Sequence, residues 1–213
     1  YFAMIFMPYI LLMLMFLITG LIVYEKQERL REIMLMSGLK METYFVVTYI
    51  FYFLQYAAMI FVLWVVAVAL GDLQTFQIHD QGLLFVFFFL WGNVMVSFSF
   101  MLSSLFSDAK SAVTCTFMLM MLTNICGGAI NWGYVRFQSD LDQAKFDGYM
   151  CVPSFVAFRG IWWLSVSGAA YQPITWENVG THANGVMARV LIAFAWQWPV
   201  WLLLWGCREK MRP

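Results

Sequence analysis

The chain has 213 residues, 63% hydrophobic and 11% charged, and its basic and acidic residues cancel to a formal net charge of zero. Soluble domains are about half apolar and about a quarter charged, so an ordinary soluble domain is excluded. The even balance leaves no basic footprint for nucleic acid or for an anionic membrane surface, and the composition is that of a polytopic membrane protein.

Phe2–Val23 carries no charge. At about 1.5 Å per residue it is long enough to cross a hydrocarbon core of about 30 Å, with Pro8 kinking it or marking its outer turn. Tyr1 lies within this apolar run, with no basic flank or small-residue cleavage site, which argues against a secretory signal peptide. The chain is expected to be a piece of a longer protein.

Tyr24–Lys40, YEKQERLREIMLMSGLK, is the one dense charge cluster and holds a third of all Lys and Arg. Under the positive-inside rule it is cytoplasmic. Leu30, Ile33 and Met34 recur at helical spacing on one side. On the other, Glu25 with Arg29 and Glu28 with Arg31 are spaced to pair, worth about 0.2–0.5 kcal/mol each. Gly38 supplies a stop. On charge alone, a solvated loop that fixes topology accounts for the stretch.

Its wording says more. Tyr24, Glu25, Lys26, Arg29, Leu30, Glu32, Met34, Gly38 and Leu39 match a Y-E-K-E-x-R-L-K-E-x-M-x-x-x-G-L run, with Arg31 in place of Lys and Gln27 in place of Glu. The stretch thus resembles the cytosolic loop of the membrane domain of ABC transporter subfamily A, most like the first of its two membrane domains. The resemblance implies that Glu25–Ser37 is a coupling helix. Glu25, Arg29, Leu30, Glu32, Ile33, Met34 and Gly38 would then meet a nucleotide-binding domain, with Leu30, Ile33 and Met34 as the docking face.

Phe45–Leu70 crosses back and ends at the turn signal Gly71-Asp72. The Gly71–Gly82 loop has acids and no Lys or Arg, as expected outside. Leu83–Phe106 is the third span. Its Ser97, Ser99, Ser103 and Ser104 are read as small residues for close helix packing rather than as a substrate path. Ser107-Asp108-Ala109-Lys110 is a tight cytoplasmic turn. Leu105-Phe106-Ser107-x-Ala109 again resembles the subfamily pattern L-F-S-[KR]-A, with Asp108 where a base is usual, and so adds Ser107 and Lys110 to the coupling set. Ala112–Ile130 is the fourth span, with Met118, Met120 and Met121 as adaptable core filler. Tyr134–Tyr149 is a polar outer loop or short interfacial helix.

Val152–Ala170 is apolar but interrupted by Pro153, Arg159, Gly160 and Gly168. If it crossed, Val186–Cys207 would end outside and put Arg208, Lys210 and Arg212 on the wrong face. A re-entrant hairpin that enters and leaves on the outer side keeps them inside, provided neighbours bury its backbone. The subfamily resemblance implies such a hairpin between the last two spans. Arg159 then sits near the turn at Gly160, satisfying carbonyls or meeting an anionic lipid head. Tyr171–Gly185 is an outer loop. Val186–Cys207 is the fifth span, and its Trp198 and Trp201 lie mid-span, for packing or for lining a lipid path.

Cys115, Cys126, Cys151 and Cys207 show no C-x-x-C spacing, and His79 and His182 have no ligand partners nearby in sequence, so neither a disulfide framework nor a metal site is expected. There is no phosphate loop, and no acidic residue lies in a clean span, so the sequence offers no catalytic site of its own. Mid-membrane ionisable residues of the kind ion pathways use are absent but for Arg159. The expected fold is an all-α transmembrane bundle of five spans with an outer re-entrant helical hairpin and a cytoplasmic coupling helix. The resemblance implies an ATP-driven movement of lipid or other hydrophobic molecules. It places ATP and Mg in a nucleotide-binding domain that follows in the same polypeptide, where a second membrane domain also lies, and puts a further span and a large outer domain before Tyr1. The competing reading is a pore-forming or scaffold membrane protein without ATP coupling.

Overall fold

The computed structural model describes residues 2–38, 40–70, 76, 78–137, 150–180 and 185–210. Among them are seven helices and no strand: α1 (Phe2–Gln27), α2 (Leu30–Met36), α3 (Met41–Leu70), α4 (Gln81–Ser103), α5 (Ala109–Phe137), α6 (Pro153–Ala169) and α7 (Val186–Lys210). Five of these, α1, α3, α4, α5 and α7, are long and apolar enough to cross a membrane. The chain is therefore an all-α, multi-pass membrane bundle with the five spans expected from its apolar runs. The helices outrun those runs, α1 reaching Gln27 and α3 beginning at Met41. Backbone groups without water must be bonded within the helix, so helix continues until the charged residues reach water. The end of the bundle bearing α2 and Arg208 is called the basic end below, and the opposite one the far end.

The hub is α4, which packs on α7, α1, α3 and α6 and buries Leu83, Phe87, Trp91, Val94, Met95 and Phe100. Its serines turn their hydroxyls onto their own helix: Ser99 donates to the Met95 carbonyl at 2.9 Å, Ser103 to Phe100 at 2.7 Å and Ser104 to Met101 at 2.6 Å. Satisfied in this way, they are small surfaces for helix packing, as their pattern suggested. Where α3 crosses α4, a Cβ on Gly92 would stand 2.3 Å from the Tyr56 ring, and the Tyr56 hydroxyl donates to the Phe88 carbonyl at 2.9 Å. Gly92→Leu is expected to push Tyr56 off this seat and cost about 1–3 kcal/mol. The measurement is the melting temperature of the purified protein in detergent, and an unchanged value would show that α3 yields freely.

Most of α3 faces outward, with Val47, Phe51, Leu54, Phe61 and Val62 exposed. In a membrane protein that surface meets lipid.

The hairpin expected over Val152–Ala170, with its turn at Gly160, is corrected by the structure. One unbroken helix, α6, fills Pro153–Ala169. Pro153 occupies the first helical turn, where its missing N–H breaks nothing. Gly160 is a packing glycine, since a Cβ there would meet the Phe87 ring at 2.4 Å and Val190 at 3.2 Å. Residues 138–149 lie outside the described residues, and Met150–Val152 form a turn just before α6. There the Met150 carbonyl accepts the Gln197 amide, about 16 Å along α7 from its start.

From that depth α6 climbs outward. Its Phe155 and Phe158 lie against Gly127 of α5, and its Leu164 carbonyl meets His79 Nε2 at 2.8 Å. His79 Nδ1 accepts the Ile174 N–H at 3.1 Å, which places the ring proton on Nε2. Asp80 N–H donates to the Ile174 carbonyl at 3.2 Å. The helix thus starts deep in the bundle and ends at the far end.

Candidate functional site

At the basic end, α1 stops because Arg29 takes a left-handed backbone conformation, φ +53°. Glycine usually fills such a place, and an L-residue there costs about 1–2 kcal/mol. Arg29 N–H bonds to the Lys26 carbonyl at 3.2 Å, and the Arg29 carbonyl then accepts from Glu32 at 3.0 Å to start α2. Gly38, φ +92°, ends it, in line with its expected role.

Four hydrogen bonds and the packing of Arg31 on two aromatic rings hold this elbow to the bundle. Arg31 Nη1 donates to Glu209 Oε1 on α7 at 2.6 Å, with both side chains largely buried. The Arg31 guanidinium lies 4.6 Å from the centre of the Phe45 ring and 5.5 Å from that of Tyr44, close enough for cation–π attraction. Glu25 accepts the Tyr44 hydroxyl. Lys26 Nζ reaches the Phe106 carbonyl at 3.0 Å, and Gln27 Oε1 accepts the Ala109 N–H at 3.0 Å. The last two bind the end of α1 to the α4–α5 turn that carries Ser107 and Lys110, both exposed.

The local pairs read from spacing are therefore replaced, for Glu25 and Arg31, by partners on other helices. The break at Arg29 reorients α2 relative to α1, so spacing across it no longer sets which side chains meet.

Asp108 caps α5. Its carboxylate accepts the Ser111 N–H and hydroxyl at 2.9 Å each, an N-cap bond to the third helical residue. These bonds hold its carboxyl below the usual carboxylate range. An acid at this position thus has a helix to start.

With those contacts made, α2 leaves Leu30, Ile33 and Met36 exposed, at 40%, 57% and 80%. Met34 is half-buried, so the outward apolar stripe is Leu30, Ile33 and Met36 rather than Leu30, Ile33 and Met34. Arg29 and Glu32 are exposed beside it. An apolar stripe on a short helix beyond the spans, rimmed by charge, is the form of a protein contact.

The second set read from the sequence is not one site. Arg159 is 4% exposed, in the middle of α6, at the level of Val190, which touches its neighbour Gly160. Trp201 lies about 16 Å further along α7, its ring centre 4.8 Å from that of Phe98. Trp198 packs half-buried against the same core. Both tryptophans make packing contacts, and Arg159 belongs to a different level of the bundle.

Spacing alone did not single out Gln27, Tyr44, Met36 or Glu209 as parts of the elbow. Glu209 carried the one usable signal, as the lone acid in the basic run Arg208–Arg212.

The profile of the ABC-2 family transporter proteins matches residues 1–206. The chain is 33% identical over 181 residues, 81% of its length, to ABC transporter A family member 9 of Dictyostelium discoideum. It is 31% identical over 211 residues, 94% of its length, to ABC transporter A family member 8 of Arabidopsis thaliana. A shorter match, 39% identical over 121 residues and 56% of the chain, is to A family member 7 of Dictyostelium discoideum. The chain spans 20% and 22% of the length of the first two relatives and 14% of the third.

Proposed function

The chain belongs to the ABC-2 family of transporter proteins, as an ABC transporter membrane domain, and from that premise we propose that it uses ATP hydrolysis by a nucleotide-binding domain of the same polypeptide to move lipids or similar hydrophobic molecules across the membrane. One observation carries this reading. The exposed stripe Leu30, Ile33 and Met36 stands on a helix locked to α7 through Arg31 and Glu209, so a partner seated on α2 pulls on a membrane-crossing helix. ATP and Mg are held in the nucleotide-binding domain, and a second membrane domain completes the transporter. A hydrophobic cargo suits a bundle in which, among the described residues, no acid is buried and Arg159, toward the far end, is the one buried Lys or Arg.

The test uses the full-length protein reconstituted in phosphatidylcholine vesicles with a trace of head-group-labelled lipid. Addition of ATP and Mg should change the share of label open to an impermeant quencher, and a non-hydrolysable analogue should not. Equal movement with and without ATP would overturn the coupling. ATP turnover with no lipid movement would overturn the cargo class.

A further inference from the structure

Between α3 and the first half of α4 the structure holds a groove of about 510 Å³, within the range of built ligand sites. Its walls are Phe53, Tyr56, Ile60, Phe61, Leu84 and Phe88, with Trp64 and Phe85 at the rim. Phe76, 4% exposed, stacks on Phe88 at 5.9 Å and contributes to the wall near the far end. Wall residue Phe61 and the rim residues Trp64 and Phe85 are 63%, 41% and 70% exposed, so the groove opens on the lipid-facing side of α3.

Its shape and chemistry limit what enters. From Phe53 to Trp64 the groove follows about 17 Å of α3, open along one side to the lipid-facing surface. A single extended hydrocarbon chain of the surrounding bilayer can lie along it. Among the described residues, none that lines the groove is charged. Of its polar groups, the Tyr56 hydroxyl is bonded to the Phe88 carbonyl at 2.9 Å and the Gln81 amide to the Phe76 carbonyl. A ligand hydroxyl deep in the groove would lose its own partners and find those of the wall engaged, which disfavours a sterol. A methylene chain loses nothing, and aromatic walls pack well against it.

We infer that this groove is a resident binding site for one acyl chain of a bilayer lipid, whose head group stays at the membrane surface. The site does not require lipid to be the transported cargo. It wedges α3 against α4 at the point where the two helices diverge from their contact at Gly92.

The experiment takes the full-length protein in vesicles of phosphatidylcholine carrying a photoactivatable diazirine midway along one acyl chain, and maps the adducts by peptide mass spectrometry. Labelling is expected to be several-fold higher at Tyr56–Phe61 and Leu84–Phe89 than at the flat lipid-facing positions Val46–Phe51 and Leu203–Leu204. Ala57→Trp, which fills the groove from an exposed position on its wall, should abolish the excess while labelling on α7 stays unchanged. Ala57→Leu, a milder filling, should reduce it partly and serves if the tryptophan variant does not fold.

Uniform labelling over all lipid-facing positions would overturn the site, as would labelling of the flat face with none in the groove, which would mean that protein fills it. A parallel sample with a photoactivatable sterol that labels the groove while the acyl probe does not would overturn the ligand class. These outcomes are independent of the vesicle transport assay, so either result can fail alone.

Discussion

Full-length transporter carrying Ile33→Asp with Met36→Asp is expected to insert, fold and bind ATP as before, with its ATP-driven transport lowered by about tenfold or more. The size follows from what the two side chains offer. An apolar anchor taken wholly out of water by a partner contributes about 1.5–3 kcal/mol, and a carboxylate in its place must be desolvated without a mate. Interface energy concentrates in few residues, so two central losses suffice to undo docking. Both positions are exposed on the membrane domain itself, and the change therefore costs that domain little. Met34→Asp is the control with the opposite signature. Half-buried Met34 supports the elbow, and its replacement should lower the yield of folded protein as well as transport. Unimpaired transport in the double variant would leave α2 with no role beyond setting topology.

Arg31→Glu is expected to uncouple ATP turnover from transport and lower thermal stability, and Arg31→Glu combined with Glu209→Arg to recover much of both. Exposed ion pairs contribute about 0–1 kcal/mol. This one is largely shielded, bonded at 2.6 Å and faced by the Phe45 ring, and charge-assisted bonds of that kind contribute about 1.5–3 kcal/mol. Charge reversal also sets two carboxylates together beside an aromatic ring. Arg31→Lys should fall between, keeping the charge and losing the flat guanidinium that lies on Phe45. Parallel assays of ATPase rate, transport and melting temperature separate the possibilities. If the swapped pair restores stability and leaves transport at the single-variant level, the bridge is structural and α2 does not act through α7.

Sequence revealed the spans because each apolar run is long and carries at most one charge, and bilayer thickness then dictates helix. The position of the elbow was legible from its charges and from Gly38, but its orientation was not. Arg29 has no glycine to announce its left-handed backbone, and once the helix restarts at Leu30 the phase of every following residue is reset. That reset is why Met36 replaces Met34 on the outer stripe and why Arg31 finds Glu209, far away in the chain, instead of Glu28. The break expected inside Val152–Ala170 was misplaced for a definite reason, since one helix fills Pro153–Ala169. Proline and glycine were taken as breakers, whereas Pro153 begins a helix and Gly160 admits the Phe87 ring. In a segment this uniformly apolar, periodicity cannot say which face a glycine presents. The separation of Arg159 from Trp198 and Trp201 depends on depth along two helices, which a linear sequence does not record.

The two ties of α6 also set an order of assembly. Its deep end is held by Gln197 and its outer end by His79, which lie on opposite sides of it in the chain. As the polypeptide emerges from the ribosome, His79 is available before α6 exists, but Gln197 is made well after it. Residues 150–169 therefore leave the translocon without the partner of their buried Met150 carbonyl, and cannot settle until α7 has been inserted beside α4. The later-made α7 closes the seat of α6. A defect at Gln197 would thus be felt during biogenesis, as a protein detained by membrane quality control before it ever meets a substrate.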